Sequence, residues 1–413
     1  MTDRFDTIII GGGASGLIAA CALARRGRRV VLLEKQSRVG RKLLSTGNGR
    51  CNLTNLGARP EHYHGSRQAA RTALRAWPPA RIAEFFEALG IPCVPDEAGR
   101  VYPMSRQAAS VLDALRLGCD EAGVVTLTDF AVRELSRRDG GFEARAADGR
   151  SARGRTALVC TGGLAAPKLG ACGDGYRLLE GLGHAMVPRF PAIAALRAPA
   201  EAVRGLKGIR AEGEIALLAD GKAVRTEAGE LLFAESGVSG IAAMQLARGA
   251  NEALRAGVPC AVRLSFVPES EADALLRRRA ECLPARALED FLNGIVPKRL
   301  GQALVRAAGL AWDERAGALP EQELNRLARA LSGWTLPVLG TQDFDQAQVT
   351  AGGASLKDFD VRSLRSLRVP GLYAAGEVLD VDGDCGGFNL QWAWSSALLA
   401  VDGIDGELSP GGR

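Results

Sequence analysis

The sequence predicts an α/β fold in which one discontinuous domain, residues 1–190 and 349–413, is interrupted by an inserted domain, residues 191–348, that is β-rich and then helical. Three observations carry this prediction. A β-branched run near the start leads straight into a glycine-rich turn and an apolar helix. Strand-and-glycine character returns after residue 349. Between the two, residues first alternate and then take up Leu/Ala/Arg-rich helical periodicity. At 413 residues the chain has room for two to three domains at roughly 150 residues each. Its 47% hydrophobic and 24% charged content is that of a folded globular chain, which excludes disorder and fibrous architecture over most of the length.

Residues 6–10 (Asp-Thr-Ile-Ile-Ile) read as a buried parallel strand ending at Gly11, residues 14–26 as a helix, and residues 29–34 as the next strand. Residues 67–122 read as helical, broken at Pro78-Pro79 and around Pro92. Residues 127–159 read as strands with turns at Asp139-Gly140-Gly141 and Asp148-Gly149, and residues 158–163 as a core strand meeting a glycine turn. Within the insert, residues 213–233 alternate as a meander with Asp220-Gly221 as the hairpin turn, and residues 269–331 are helical. Residues 372–376 form a strand into a turn, residues 389–401 a closing helix, and residues 409–413 a loose tail.

Residues 8–24 carry no charge, yet they hold four glycines and fall short of the roughly 20 residues a membrane span needs. Met1 to Asp6 holds two Asp and one Arg, unlike the positive start of a secretory leader. The nine cysteines are scattered, with no C-x-x-C pair, so neither a zinc ribbon nor a redox dithiol is supported and a reducing compartment is indicated. The expected location is the cytoplasm. Net charge is +5, and only seven of the 52 Lys and Arg residues are Lys; the charge is dispersed, with no block of the kind nucleic-acid binders use. No membrane or nucleic-acid partner is expected, and oligomeric state is not legible.

Gly11-Gly12-Gly13-Ala14-Ser15-Gly16 fits G-x-G-x-x-G between a strand and a helix. Gly11 permits the tight turn, Gly13 lets a pyrophosphate approach the backbone, and Gly16 lets the helix pack closely on the strand. The helix start itself offers N–H groups and positive partial charge. Glu34, at the end of the second strand with Lys35 after it, is placed to accept from a ribose diol, and its charge disfavours a 2′-phosphate. A glycine pattern alone is often only a turn; the full βαβ context with its acid makes a dinucleotide the better reading. The run from Gly40 to Asn55 is crowded with glycine, amide and hydroxyl groups, including Arg41, Lys42, Ser45, Asn48, Gly49 and Asn52. With so little apolar content it reads as a loop outside the core, wrapping the second half of a dinucleotide. Arg41, Lys42 and Arg50 equally suit an anionic substrate, phosphates or solvent.

The run GRKLLSTGNGRCNLTN (residues 40–55), joined with GGGASG (11–16), resembles a family of bacterial NAD(P)/FAD-dependent flavoprotein oxidoreductases that includes the bile-acid-inducible flavoprotein. The late run from Ala375 to Trp394 agrees, as do Thr161-Gly162-Gly163, Pro167 and Gly173-Asp174-Gly175-Tyr176. Ala234 and Ala354 depart from the family's Thr and Val; both lie in or beside the insert, away from the flavin motifs. The resemblance implies a glutathione-reductase-like (Rossmann-type) FAD domain whose insert caps the substrate. FAD is the expected cofactor, with NADH or NADPH a transient co-substrate and a small molecule the substrate. In that frame Gly376 and Glu377 follow a late strand, where the acid suits ribityl hydroxyls, with Asp382 nearby. Gly386-Gly387 opens the helix of Asn389 and Leu390, whose positive end faces the flavin N1–C2=O edge and stabilises the reduced ring by about 0.3–1 kcal/mol. Backbone near Val132 would meet adenine, and Thr161, Gly162 and Gly163 the phosphate side.

There is no second G-x-G-x-x-G and hence no dedicated nicotinamide domain, nor a cysteine spaced from Cys51 as a dithiol relay requires. Cys51 and Cys385 read as small buried hydrophobes. His62 and His64 would share a strand face but lack further ligands, so a polar loop is the better reading and no metal is expected. His184 reads as structural, and no catalytic residue is assigned, Tyr102 and Tyr176 being weak acid–base candidates. The expected activity is hydride transfer from flavin to an organic acceptor, such as a conjugated C=C bond. An oxygen-using monooxygenase or oxidase, or a flavin-bound scaffold without turnover, stays open.

Overall fold

The structure, a computed structural model, describes residues 4–409; residues 1–3 and all but the first residue of the tail expected at 409–413 lie outside the described residues. The chain divides into two compact units, Met1–Phe190 with Gln348–Arg413, and Pro191–Ala347. Among the described residues no helix is long and apolar enough to cross a membrane.

The first unit is built on a nine-stranded sheet. Its parallel centre runs in the order Leu372–Ala374, Ser151–Val159, Arg4–Ile10, Val30–Leu33, Val125–Leu127. The inner strands are buried on both faces over their apolar runs, which is why these read as unbroken: Ile8, Ile9, Val31, Leu32 and Leu158 expose nothing, whereas the outer strand Val125–Leu127 is exposed at Val125 and Thr126. Helix Ala14–Arg25 packs against the closing helix Phe388–Leu408 and helix Ala108–Glu121. Its small residues permit the close approach, with Ala19, Ala20 and Cys21 fully buried. Val132–Arg138 and Gly141–Ala146 form an antiparallel hairpin closed at Asp139 and Gly140, both with positive φ, as the Asp-Gly signal predicts.

Three readings of this unit need correction. The stretch 67–122 is not helical throughout: between helices Pro79–Glu87 and Ala108–Glu121 lie strands Cys93–Pro95 and Arg100–Pro103, paired with each other and with Thr54–Asn55. The run 40–55 is not an open loop: it begins with a short helix, Arg41–Ser45, and its last residues, Cys51 to Asn55, are buried. Polar groups survive there because partners reach them; the Trp394 indole N–H donates to Leu53 O at 2.9 Å, and the Thr54 hydroxyl hydrogen-bonds Gln391. The closing helix is also longer than residues 389–401, running to Leu408.

The second unit holds a seven-stranded sheet centred on the long hairpin Arg210–Ala219 and Lys222–Ala234, which turns at Asp220-Gly221. The region expected to be helical over 269–331 is broken into Glu269–Cys282, Leu288–Phe291, Lys298–Ala307 and Glu321–Gly333. Pro268, Pro297 and Pro320 precede three of these, where a missing N–H costs nothing. Leu276, Leu300, Leu304, Leu327 and Leu331 form their buried faces.

Candidate functional site

Four strands of the central sheet end level. Gly11 N–H donates to Leu33 O at 2.8 Å, Cys160 N–H to Ile10 O at 2.8 Å, and Ala375 N–H to Val159 O at 3.0 Å. Gly11 has φ +105°, and a Cβ there would lie 2.5 Å from Cys160 O. At Gly16 a Cβ would collide with Gly11 O, whereas at Gly13 it would meet nothing within 4 Å. The glycines therefore divide as the motif predicts: two close the turn, and the middle one leaves the backbone open at the helix start. Ala14 and Ser15 form its first turn, and Ser15 sits against Gly376, whose φ of +78° excludes a side chain there.

Beside this turn lies a narrow cleft of about 50 Å³, lined by Gly11, Glu34, Lys35, Phe130, Val132, Thr161, Asp174 and Leu178 among others. Glu34 is held by backbone donors, Gly12 N–H at 2.7 Å and Gln36 N–H at 2.8 Å. Each carboxylate oxygen keeps a second lone pair for a ligand. Lys35 Nζ lies 2.7 Å from Asp174 Oδ2 and 2.6 Å from Cys172 Sγ. Burial pulls its ammonium pKa down, but these two partners outweigh that and hold it above the ordinary lysine value. Thr161 Oγ1 is buried without a partner. Arg41 takes a different place, exposed and donating to Gln36 Oε1 at 2.6 Å.

A second group joins distant parts of the chain. Lys42 Nζ pairs with Glu377 Oε2 at 2.8 Å, and Glu377 Oε1 accepts from Thr350 N–H at 2.8 Å. Gly163 is where this acid approaches the backbone: a Cβ there would lie 3.0 Å from Glu377 Oε1, while at Gly162 the nearest atom, Glu377 Oε2, is 3.9 Å away. Thr350 Oγ1 accepts from Leu164 and Ala165 N–H at 2.8 and 2.9 Å, anchoring the glycine turn. The sequence reading missed Thr350; its only signal is a hydroxyl residue before Gly352-Gly353. Tyr176 OH reaches Glu377 O at 3.5 Å, and burial raises its phenol pKa, so it stays protonated and serves as a donor. Tyr102 instead carries the Arg106 guanidinium over its ring at 5.4 Å.

The third group surrounds the start of the closing helix. Gly47, Asn48, Gly49 and Cys51 all have positive φ, curling the chain so that Asn52 arrives beside Gly387. Ser45 Oγ donates to Lys42 O at 2.8 Å, while Asn48 and Gly49 are exposed. Asn55 Nδ2 donates to Gly386 O at 3.1 Å. Asn389 accepts from Gly383 N–H at 2.8 Å and donates to Gly383 O at 2.7 Å and Asp384 O at 3.1 Å. It fixes the loop over the helix start, and Leu390 follows half-buried. Asp382 is buried on a strand, Val381–Gly383, paired with Tyr63–Gly65. His62 stacks on Phe388 with centroids 4.3 Å apart, and His64 Nε2 lies 3.2 Å from Asp384 Oδ1. Among the described residues no group of three His, Cys, Asp or Glu could hold a metal ion. Cys51 exposes nothing and burial pushes its thiol up to about 12; burial likewise raises Cys385. His184 is buried, hydrogen-bonded to Ser366 Oγ at 2.7 Å and stacked on Phe359.

Fold and site together define a Rossmann-type dinucleotide-binding protein, with the acid of the second strand and a late glycine turn converging on one edge of the sheet. Over residues 5–403 the chain matches the model of the HI0933-like protein Rossmann domain. It is 36% identical over 398 residues to a 3-dehydro-bile acid delta(4,6)-reductase of Clostridium scindens, covering 95% of this chain and 97% of that one. It is 30% identical over 406 residues to a ribosomal RNA dihydrouridine synthase of Escherichia coli, covering 97% and 98%. The solved 3-ketosteroid delta1-dehydrogenase of Sterolibacterium denitrificans shares the fold, with TM-score 0.54 at 14% identity over 98% of this chain and 99% of that one. The chain belongs to the HI0933-like Rossmann family, and it is an FAD-dependent oxidoreductase.

Proposed function

We propose that the first unit holds FAD along the three groups described above and that the enzyme reduces a C=C bond conjugated to a carbonyl. The residues fit the cofactor. Gly13 leaves the backbone open where a pyrophosphate would approach the helix start, and Thr161 Oγ1 and Asn52 Oδ1 are buried polar atoms lacking partners. Glu34 takes the ribose and Val132 the adenine, Gly162 and Gly163 the phosphate side, and Glu377 the ribityl hydroxyls. Lys42 neutralises negative charge beside Glu377. When bound and reduced, the flavin would supply hydride to the carbon β to the carbonyl, and a proton would complete the α carbon. NADH or NADPH replenishes the cofactor as a transient co-substrate. The insert recognises a small-molecule acceptor, and the nine free cysteines suit a reducing cytoplasm.

The observation carrying the reductase reading is the 36% identity to an enzyme named for reducing the delta(4,6) bonds of a 3-dehydro-bile acid. A second reading is favoured by the full-length match to a ribosomal RNA dihydrouridine synthase, since uridine also presents a C=C conjugated to a carbonyl. Charge separates the two. Residues 191–347 hold 19 Lys and Arg against 20 Asp and Glu, so the insert has no basic excess to attract phosphates. We therefore place the small, carbonyl-conjugated acceptor first. The test is to reduce the enzyme anaerobically and offer it a conjugated ketosteroid or uridine-containing RNA. Loss of the steroid double bond with reoxidation is expected; turnover confined to RNA would reverse the order, and reoxidation by oxygen alone would sink both.

A further inference from the structure

Lys35 and Cys172 stand closer together than an unbonded amine and thiol do. Lys35 Nζ lies 2.6 Å from Cys172 Sγ. Ordinary N–H···O contacts fall at about 2.7–3.2 Å, and sulfur is a larger atom than oxygen, so an N–H···S hydrogen bond belongs at a longer distance. Nitrogen and sulfur come this close when a single oxygen atom joins them, as N–O–S. Asp174 completes the group, its Oδ2 lying 2.7 Å from Nζ and 3.0 Å from Sγ. The pair is open to small oxidants. Cys172 is exposed, whereas Cys21, Cys51, Cys119 and Cys160 are buried. The Lys35 side chain keeps 23% of its surface, and both residues line an open cleft with Pro167 and Arg177. Oxidation of a cysteine follows such exposure, and the sulfenic acid it first forms condenses with nearby nucleophiles. Hydride transfer as described above has no use for this thiol.

We propose that hydrogen peroxide joins Lys35 to Cys172 through a reversible N–O–S bond. Two equivalents of peroxide balance the step. The first converts Cys172 S–H to S–OH, its other oxygen leaving as water. Asp174 accepts the proton that the Lys35 ammonium must lose and passes it to solvent. The second equivalent takes the sulfenic O–H hydrogen and one N–H hydrogen and leaves as two waters, while the N–O bond forms. Sulfur and nitrogen each lose two electrons, and each peroxide gains two. Two equivalents of a dithiol return amine, thiol and one water. Lys35 lies two residues past the end of strand Val30–Leu33, and Cys172 two residues before helix Asp174–Gly181. The narrow cleft beside Glu34 is lined by Lys35, Gly170 and Asp174, so the bond ties the 170–174 loop to the strand end across that cleft. FAD seated on Glu34 would then be locked in. This consequence rests on the cofactor reading above; the cross-link itself does not.

The test treats the purified protein with hydrogen peroxide and maps its peptides by mass spectrometry. A linked pair of peptides carrying Lys35 and Cys172 is expected, heavier by about 14 Da than their sum, one oxygen gained and two hydrogens lost. Dithiothreitol should release it. Cys282, the other exposed thiol, serves as the internal control and should stay unlinked. Lys35→Arg keeps a cation beside Asp174 without a primary amine, so Cys172 should stop at a sulfenic acid that dimedone traps. Cys172 oxidised with Lys35 free, or a linked pair lighter by about 2 Da from a direct S–N bond, would overturn the inference. Release of FAD from loaded protein, followed by fluorescence, should be slower in the cross-linked form by on the order of tenfold and recover with dithiothreitol. Equal release from both forms would overturn the locking. A protein that takes up no FAD would overturn the cofactor reading and the locking, with the cross-link still decided by its mass.

Discussion

Gly13 and Gly16 belong to one motif but answer to different demands, and substitution separates them. Gly16→Ala places a methyl on Gly11 O and should destabilise the apoprotein by about 1–3 kcal/mol, seen as a lowered Tm without any ligand. Gly13→Ala meets no protein atom and keeps an allowed φ of −83°, so the apoprotein Tm should stay within about 1 °C while FAD affinity falls more than about tenfold. Cys51 makes a pH-dependent contribution. Its pKa is raised from 9.0 to about 12 on folding, so its contribution to stability is complete below about pH 9 and is lost between there and about 12. Denaturation across that range should show a shallower alkaline decline in Cys51→Ala, by up to about 1.4 kcal/mol per pH unit. The glycines were legible in the sequence because their demand is steric and local. Thr350 was not, because its hydroxyl acts on Leu164 and Ala165, more than 180 residues away in the chain.

At the scale of elements, the strand–turn–helix start and the Asp-Gly hairpins are written in short-range pattern, and the structure follows them. The burial of residues 51–55 is not. A polar stretch reads as solvated unless the partners that satisfy it are known, and here these come from Gln391 and Trp394 in the closing helix. The small sheet at 93–103 was hidden for a related reason: its strands are three and four residues long, too short for a period to emerge. Asn389 ties such an irregular segment to regular structure. Asn389→Ala removes both an acceptor and a donor from the Gly383 and Asp384 backbone and should cost about 1–3 kcal/mol in thermal denaturation. If the loop it fixes lies over the bound ring, FAD added in excess should restore part of the lost Tm.

For the whole molecule, the domain carrying the dinucleotide signature is the readable one, because its ligand is a fixed shape that imposes fixed glycines. The insert is readable only as strands and helices. Its Pro-opened helices and long hairpin account for its core, but no residue pattern in it names an acceptor, since apolar recognition uses the same residue types as packing. The balance of 19 basic against 20 acidic residues is the strongest whole-unit signal it offers, and that signal argues against a polyanionic partner. The central claim is that this chain is a flavoprotein reduced by a nicotinamide. It is tested most directly by an anaerobic visible spectrum of the purified protein, before and after NADH and then NADPH. The account predicts a yellow protein whose flavin band bleaches with one of the two; a colourless protein that takes up no FAD, or a flavin indifferent to both nucleotides, would contradict it.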